Sequence, residues 1–299
     1  MGIDAGSTIW FIMGYIFLSL AVVYAAVAGL TYLKLDVWQG RFYWSSKIQQ
    51  SYPDRKHIMR EIGYSASSLL IFGVVLVGLA WANQHGYTQA YTRINKLGYG
   101  YYFFSIVYMV FIHDAYFYWS HRLLHWKPLF KHVHVKHHLS INPTPFSALA
   151  FHPVEAFLEI IIVPILAVLF PHHFSIVQII FLYSLMVNVG GHMGYETVPK
   201  SFVSHKIFKW HNTSTHHNMH HRLVKYNYGL YFNIWDRLMG TNHPDYEKEF
   251  EKITDRRDKD RLAMLNKKLW AKRAKQRTES AIEKIDPVQL AEDNPVSID

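Results

Sequence analysis

The sequence predicts an all-α integral membrane protein with four to five membrane helices, two of them forming a hairpin, under a cytosolic, histidine-rich helical di-metal cap. Three observations lead there. Half of the 299 residues are hydrophobic and only 18% are charged, below the roughly 25% of ordinary soluble domains. Uncharged runs long enough for membrane helices recur along the first two thirds of the chain. Histidine supplies 20 residues and cysteine none, which removes disulfides, thiolate metal sites, iron–sulfur clusters and cysteine nucleophiles together.

The first run has no charge between Asp4 and Lys34. Ser7 to Leu33 could cross a hydrocarbon core of roughly 30 Å as a helix. It has no basic segment before it and is too long for a cleavable signal, so it reads as a retained helix. A second run covers Ile62 to Asn83. A third, Leu97 to Ile112, continues past the polar pair His113-Asp114 through Tyr116, Phe117 and Trp119. Two further arms, Ile160 to Phe170 and Phe174 to Gly191, flank a Phe170-Pro171-His172-His173 turn and predict the hairpin. Its first arm is short, so it is either re-entrant or completed by the turn Glu155 to Glu159.

The formal charge of +9 suggests an anionic partner until its location is examined. From Asp245 onward 13 basic and 13 acidic residues cancel, so the excess lies in residues 1–244. Six basic residues fall between Lys34 and Arg60, against two between Gln84 and Lys96. With the N-terminus outside and three spans before His121, 16 of the 18 basic residues of residues 1–244 lie on the cytoplasmic side, as the positive-inside bias requires. The partner implied is a lipid bilayer. No basic stripe with interleaved aromatics points to nucleic acid. The expected organisation is 1–96, membrane helices and a cytosolic loop; 97–243, a catalytic domain with the hairpin at 154–191; and 244–299, a charged cytosolic tail. In the tail, Lys267 to Arg277 reads as a solvated helix, with anionic headgroups as its alternative contact.

Seventeen of the histidines lie between His113 and His221. His121 and His125 have i,i+4 spacing, which puts two imidazoles on one helix face. His134, His137 and His138, and again His217, His220 and His221, follow i, i+3, i+4. Eight imidazoles in three groups exceed the needs of one metal and predict two. An even number of crossings through the hairpin returns all three groups to one membrane face. His192 is a ninth candidate ligand, with Glu196, at i+4, as a ligand or a hydrogen-bond acceptor beside one.

A histidine alone near a membrane interface is usually a polar anchor, and His57, His85, His172, His173, His205 and His243 take that reading. For the three groups it is poor, because burying so many unpartnered imidazoles costs about 1 to 3 kcal/mol each. His132, His152, His211 and His216 are open between supporting a ligand and being incidental. Asp114, Tyr118, His121 and His125 form one stripe, so Asp114 or Tyr118 could hold a ligand's tautomer. Asp236 is a similar candidate, with a helix-end salt bridge as the simpler account. No catalytic group beyond the metal centre is singled out.

Imidazole suits zinc, copper, iron or nickel. Soluble di-iron proteins use E-x-x-H turns, absent here, and two-metal phosphohydrolases usually share carboxylates, which these groups hardly offer. A zinc hydrolase remains the alternative from another class. Neutral ligands in apolar surroundings suit attack on an unactivated C–H bond, which needs a redox metal and favours two iron ions, with zinc as a possible substitute.

The three histidine groups, the run Tyr118-Trp119-Ser120-His121-Arg122-Leu123-Leu124-His125, and Asn227-Tyr228-Gly229 through Trp235-Asp236-Arg237 to Gly240-Thr241 resemble the fatty acid hydroxylase/sterol desaturase superfamily over roughly residues 100–243. Pro143-Thr-Pro-Phe146 and Ala150-Phe-His-Pro153 are similar to its sterol C-5 desaturase-like members. The resemblance implies a membrane enzyme with a cytosolic di-iron centre. O2 and NAD(P)H-derived electrons would be its co-substrates, a sterol or fatty-acyl lipid its substrate, and a cytochrome b5-like protein or ferredoxin its separate donor, since no H-P-G-G segment occurs. It carries the ligand role to the eight grouped histidines and His192. Some related hydroxylases have a histidine where this chain has Glu196. Desaturation of a sterol-like ring is the expected reaction, with lipid hydroxylation as the alternative. The location would be the inner membrane of a bacterium or the endoplasmic reticulum of a eukaryote, with the C-terminus cytoplasmic.

Overall fold

The computed structural model describes residues 5–283; Asp4 and the end of the expected tail, 284–299, lie outside the described residues. The chain forms two units, one ending at Thr254 and one beginning at Asp255. In the first, α1 (Ala5–Tyr24) continues through wider turns, Ala25–Gly29 and Leu33–Trp38. A helix satisfies its own backbone groups, which a bilayer cannot. The polar linker that follows ends at Asp54, whose carboxylate accepts from His57 N at 2.7 Å and starts α2 (Arg55–Gln84). Next come α3 (Gly98–Leu124), α4 (Pro153–Ile160), α5 (Ile162–Leu169), α6 (Phe174–His192) and α7 (Ser214–Leu223). α8 (Tyr246–Glu283) begins in the first unit, where Tyr246, Phe250 and Ile253 are buried.

Among the described residues, three stretches are long and apolar enough to cross a membrane: Trp10–Trp38, Arg55–Gln84 and Phe174–His192. The four to five spans expected are three by this measure. α3 has the length, but its tyrosines and the His113-Asp114 pair dilute its apolar character. The first hairpin arm is broken at Ile161 between α4 and α5, because Pro164 has no N–H for the Ile160 carbonyl and its ring crowds that turn.

The fold also departs from all-α among the described residues. Ala90–Tyr91 (β1) and His172–His173 (β2) form a short parallel pair with Ala90 opposite His172, fastening the loop after α2 to the hairpin turn. His172 and His173 are therefore buried structural groups, with His173 Nε2 2.9 Å from the Thr92 carbonyl. His57, also expected as an anchor, pairs with the buried Glu61 at 2.9 Å.

The segment Pro145–Leu149 wedges between α1, α2 and α6. The Phe146 carbonyl accepts from Tyr24 Oη at 2.9 Å and Ser65 Oγ at 2.7 Å, and Glu61 accepts from the Thr144 hydroxyl. Leu20 of α1, Ala28 of the wide turn after it, Phe72 of α2, and Leu185 and Val189 of α6 pack around Leu149 and Phe151. This core fixes Ala150 and Phe151 beside the histidines. In the second unit, α8 is exposed from 259 to 280, including Lys267 to Arg277, and Arg273 lies over the Trp270 ring.

Candidate metal centre

The histidine helices meet where α3, the segment 130–138, α6 and α7 converge. Their imidazoles fall into two groups. His121, His125, His134, His138 and His220 form one; His137, His192, His217 and His221 form the other. Within each group one ring nitrogen per residue lies within 4.8 Å of the rest. Ring contacts join the groups, with His138 and His221 centroids 5.0 Å apart. All but His125 are buried. The Pro128 turn after α3 and the wide turn Phe130–His134 bring the second histidine segment back against the end of α3.

Backbone carbonyls set the tautomers. His121 Nδ1 donates to Tyr228 O at 2.8 Å, His192 Nδ1 to Asn188 O at 2.7 Å and His220 Nδ1 to Tyr226 O at 2.7 Å. A carbonyl only accepts, so each proton sits on Nδ1 and each Nε2 carries a lone pair. His134 Nδ1 faces Glu155 Oε1 at 2.8 Å, and His137 Nδ1 faces Ala150 O at 3.4 Å.

Lone pairs therefore oppose each other: His121 and His134 Nε2 are 3.1 Å apart, and His137 and His192 Nε2 3.3 Å. His217 and His221 Nε2 each lie 3.0 Å from His192 Nε2. Buried His125 Nε2 and His220 Nε2 meet no hydrogen-bond partner among the described residues. Burial first, and then neighbouring imidazoles, hold His134, His137, His138, His217, His220 and His221 well below the usual histidine range. Neutral rings with converging lone pairs repel each other until a cation lies between them, so the residues fit two metal ions.

The remaining candidates act elsewhere. Asp114 Oδ1 accepts from the backbone of Tyr231 and Phe232 at 2.9 and 3.2 Å, holding that loop against α3 in place of a ligand imidazole. Tyr118 Oη pairs with Thr241 Oγ1 at 2.9 Å. His152 caps α4, accepting from Val154 N at 3.2 Å. Glu196 joins neither group; it accepts from Thr215 N at 3.0 Å and Oγ1 at 2.7 Å, and from Val198 N at 3.2 Å, anchoring the start of α7. Its pKa is raised by burial, against the lowering effect of the Thr215 bonds. His216 lies 3.9 Å from Asp236 and edge-on to Tyr246.

Asp236 works through the backbone, not through the helix-end salt bridge. Its oxygens accept from Tyr228 N at 2.8 Å, Gly229 N at 2.7 Å and Thr241 Oγ1 at 2.7 Å, and so aim the Tyr228 carbonyl at His121. Glu155 was not singled out by sequence reasoning. Its signal was an acidic residue just after His152-Pro153 in an otherwise apolar arm, but nothing local shows that His134 faces it.

Residues 106–241 match the fatty acid hydroxylase family model. The rat lathosterol oxidase is 35% identical over 193 residues, covering 64% of this chain and 63% of the relative. The human lathosterol oxidase is 31% identical over 189 residues, 62% of each chain. A Delta(7)-sterol 5(6)-desaturase of Gibberella zeae is 30% identical over 189 residues, 63% of this chain and 57% of that one. The match thus spans about three fifths of these relatives' length. No solved structure matches the chain. Residues 106–241, the stretch that matches the fatty acid hydroxylase family model, carry all nine clustered histidines.

Proposed function

We propose that the protein is a membrane oxidoreductase that desaturates a sterol or sterol-like lipid at a two-iron centre, using O2 and NAD(P)H-derived electrons from a separate carrier. The observation that carries this is the pair of adjoining, buried groups of neutral imidazoles with converging lone pairs. His121, His125, His134, His138 and His220 would hold one iron, and His137, His192, His217 and His221 the other. Bound iron supplies reduction of O2 and removal of hydrogen from an unactivated C–H bond. Neither group contains a carboxylate among the described residues, which favours this chemistry over hydrolysis.

The protein's own residues orient the site and keep it dry. Carbonyls of Tyr228, Asn188 and Tyr226 fix three imidazoles. The rings of Phe117 and Phe151 pack on His121 and His137, with centroids 5.2 and 5.1 Å apart, and place hydrocarbon against both groups. The names of the relatives, lathosterol oxidase and Delta(7)-sterol 5(6)-desaturase, support a sterol substrate. The apolar helices support a bilayer location, with the N-terminus outside and the histidine face cytoplasmic.

The same ligands serve hydroxylation, which the name of the matched family favours. Lipid mass spectrometry of cells with and without the protein, under air and under anaerobic conditions, decides. Loss of two hydrogens only under air is the expected result. Gain of one oxygen would make the protein a hydroxylase, and a product formed equally without O2 would overturn the oxygenase reading.

A further inference from the structure

Next to the histidines lies an apolar pocket of about 80 Å³ whose lining includes Phe117 and Phe151. These are the two rings that pack on His121 and His137. Three polar side chains from three helices open into it: His113 of α3, Glu159 of α4 and Ser184 of α6. His113 and Ser184 each stand eight residues before a clustered histidine, His121 and His192, so both lie roughly 12 Å below the centre along their helices. Glu159 is one turn beyond Glu155, the partner of His134. The other polar lining groups are engaged: Asn188 Nδ2 donates to Ala148 O at 2.7 Å, and His172 Nδ1 faces Phe170 O at 3.0 Å.

Among the described residues no hydrogen-bond donor reaches the Glu159 carboxyl. An ionisable group inside a membrane bundle is costly and normally marks a functional contact. His113 complements it. Its Nδ1 lies 2.9 Å from Tyr231 Oη, a hydroxyl that Ser184 also approaches; with the Tyr231 proton directed at Nδ1, the ring's own proton is on Nε2, which then donates into the pocket. A carboxyl acceptor and an imidazole donor in an apolar pocket match an alcohol, which needs one of each.

We propose that Glu159, His113 and Ser184 form a binding site for the hydroxyl group of a neutral ring alcohol, the polar end of the sterol whose oxidation is proposed above and on which this inference rests. The alcohol O–H donates to Glu159 and its oxygen accepts from His113 Nε2. In a Delta(7)-sterol the carbons at positions 5 and 6 lie within a ring of the hydroxyl-bearing carbon, so holding the hydroxyl fixes the reacting bond beneath Phe117 and Phe151. The hydrocarbon end has its own place. A second, mostly apolar groove of about 450 Å³ between α1, α2 and α6 shares Ala167, His172, Val177 and Phe181 with the inner pocket. A ring system too large for the inner pocket enters from this groove by displacing Phe181 and Val177.

The test is displacement of tritiated lathosterol from the metal-loaded full chain in nanodiscs, without reductant. The competitors are unlabelled lathosterol and its 3-deoxy analogue. The wild type should prefer the alcohol about tenfold, equal to about 1.4 kcal/mol. Glu159→Leu should bind both within about twofold, with metal content unchanged, whereas Glu159→Gln, which still accepts, should keep most of the preference. Ser184→Ala removes a single oxygen and should lower the preference about threefold, giving a second reading should Glu159→Leu fail to fold. Full preference in Glu159→Leu, or none in the wild type, overturns the hydroxyl site and leaves the sterol reading standing. No lathosterol binding by the wild type overturns both.

Discussion

His134 Nδ1 lies 2.8 Å from Glu155 Oε1, with both side chains buried and the two residues 21 positions apart in the chain. The carboxylate points the His134 Nε2 lone pair at His121 and raises the basicity of the ring. Glu155→Leu should weaken metal binding by about 10- to 100-fold, while Glu155→Gln, whose amide oxygen still accepts, should bind metal nearly as the wild type does. Metal titration of both proteins checks this; equal binding by Glu155→Leu would show that packing alone orients His134.

The two histidine groups predict separable metal losses. His220 belongs to the five-histidine group and His137 to the four-histidine group. Each substitution to alanine should abolish lipid oxidation and remove about one of two metal equivalents, read by elemental analysis per chain. Full metal retention in either variant would take that residue out of the site.

Asp236 and Gly229 together hold the carbonyl that orients His121. Asp236→Ala leaves the buried donors of Tyr228, Gly229 and Thr241 without their acceptor, at about 1 to 3 kcal/mol for each unpaired group. At Gly229 a Cβ would collide with the Phe232 carbonyl and sit 3.0 Å from Asp236 Oδ2, so Gly229→Ala should also displace the turn. Both variants should melt at lower temperature and bind metal less tightly. A Gly229→Ala protein with wild-type melting and metal content would mean that the turn adapts without moving Tyr228.

Removing the metal should destabilise the fold by the lost binding free energy. That free energy includes relief of the repulsion between the converging imidazole lone pairs of His137, His192 and His217. Chelator treatment should lower the thermal midpoint and increase backbone hydrogen exchange in α7 and residues 130–138, leaving α1 and α2 protected. Uniform exchange changes along the chain would point to general unfolding instead.

The helical spacing of His121 and His125, and of the two i, i+3, i+4 triads, is a local property and was legible in the sequence. So were the apolar runs of α1, α2 and α6, since composition over about 20 residues decides whether a helix suits a bilayer. The break at Ile161 was missed as a helix boundary although Pro164 signals it. The pairing of β1 with β2 left no trace, because two-residue strands carry no periodicity. Asp114 looked like a ligand's partner by its place in the helical stripe, yet the stripe could not show that the Tyr231 loop arrives there first.

The sequence by itself determined which residue types are present for metal binding and which stretches avoid water, because both follow from short-range pattern. Only the tertiary structure decided how the histidines are divided. His134 and His138 join His121, while His137 between them turns to His192; His220 goes one way, and His217 and His221 the other. Neighbours on one helix point about 100° apart, so which group each imidazole enters depends on the helix packed opposite, and the sequence contains that packing only through the whole fold.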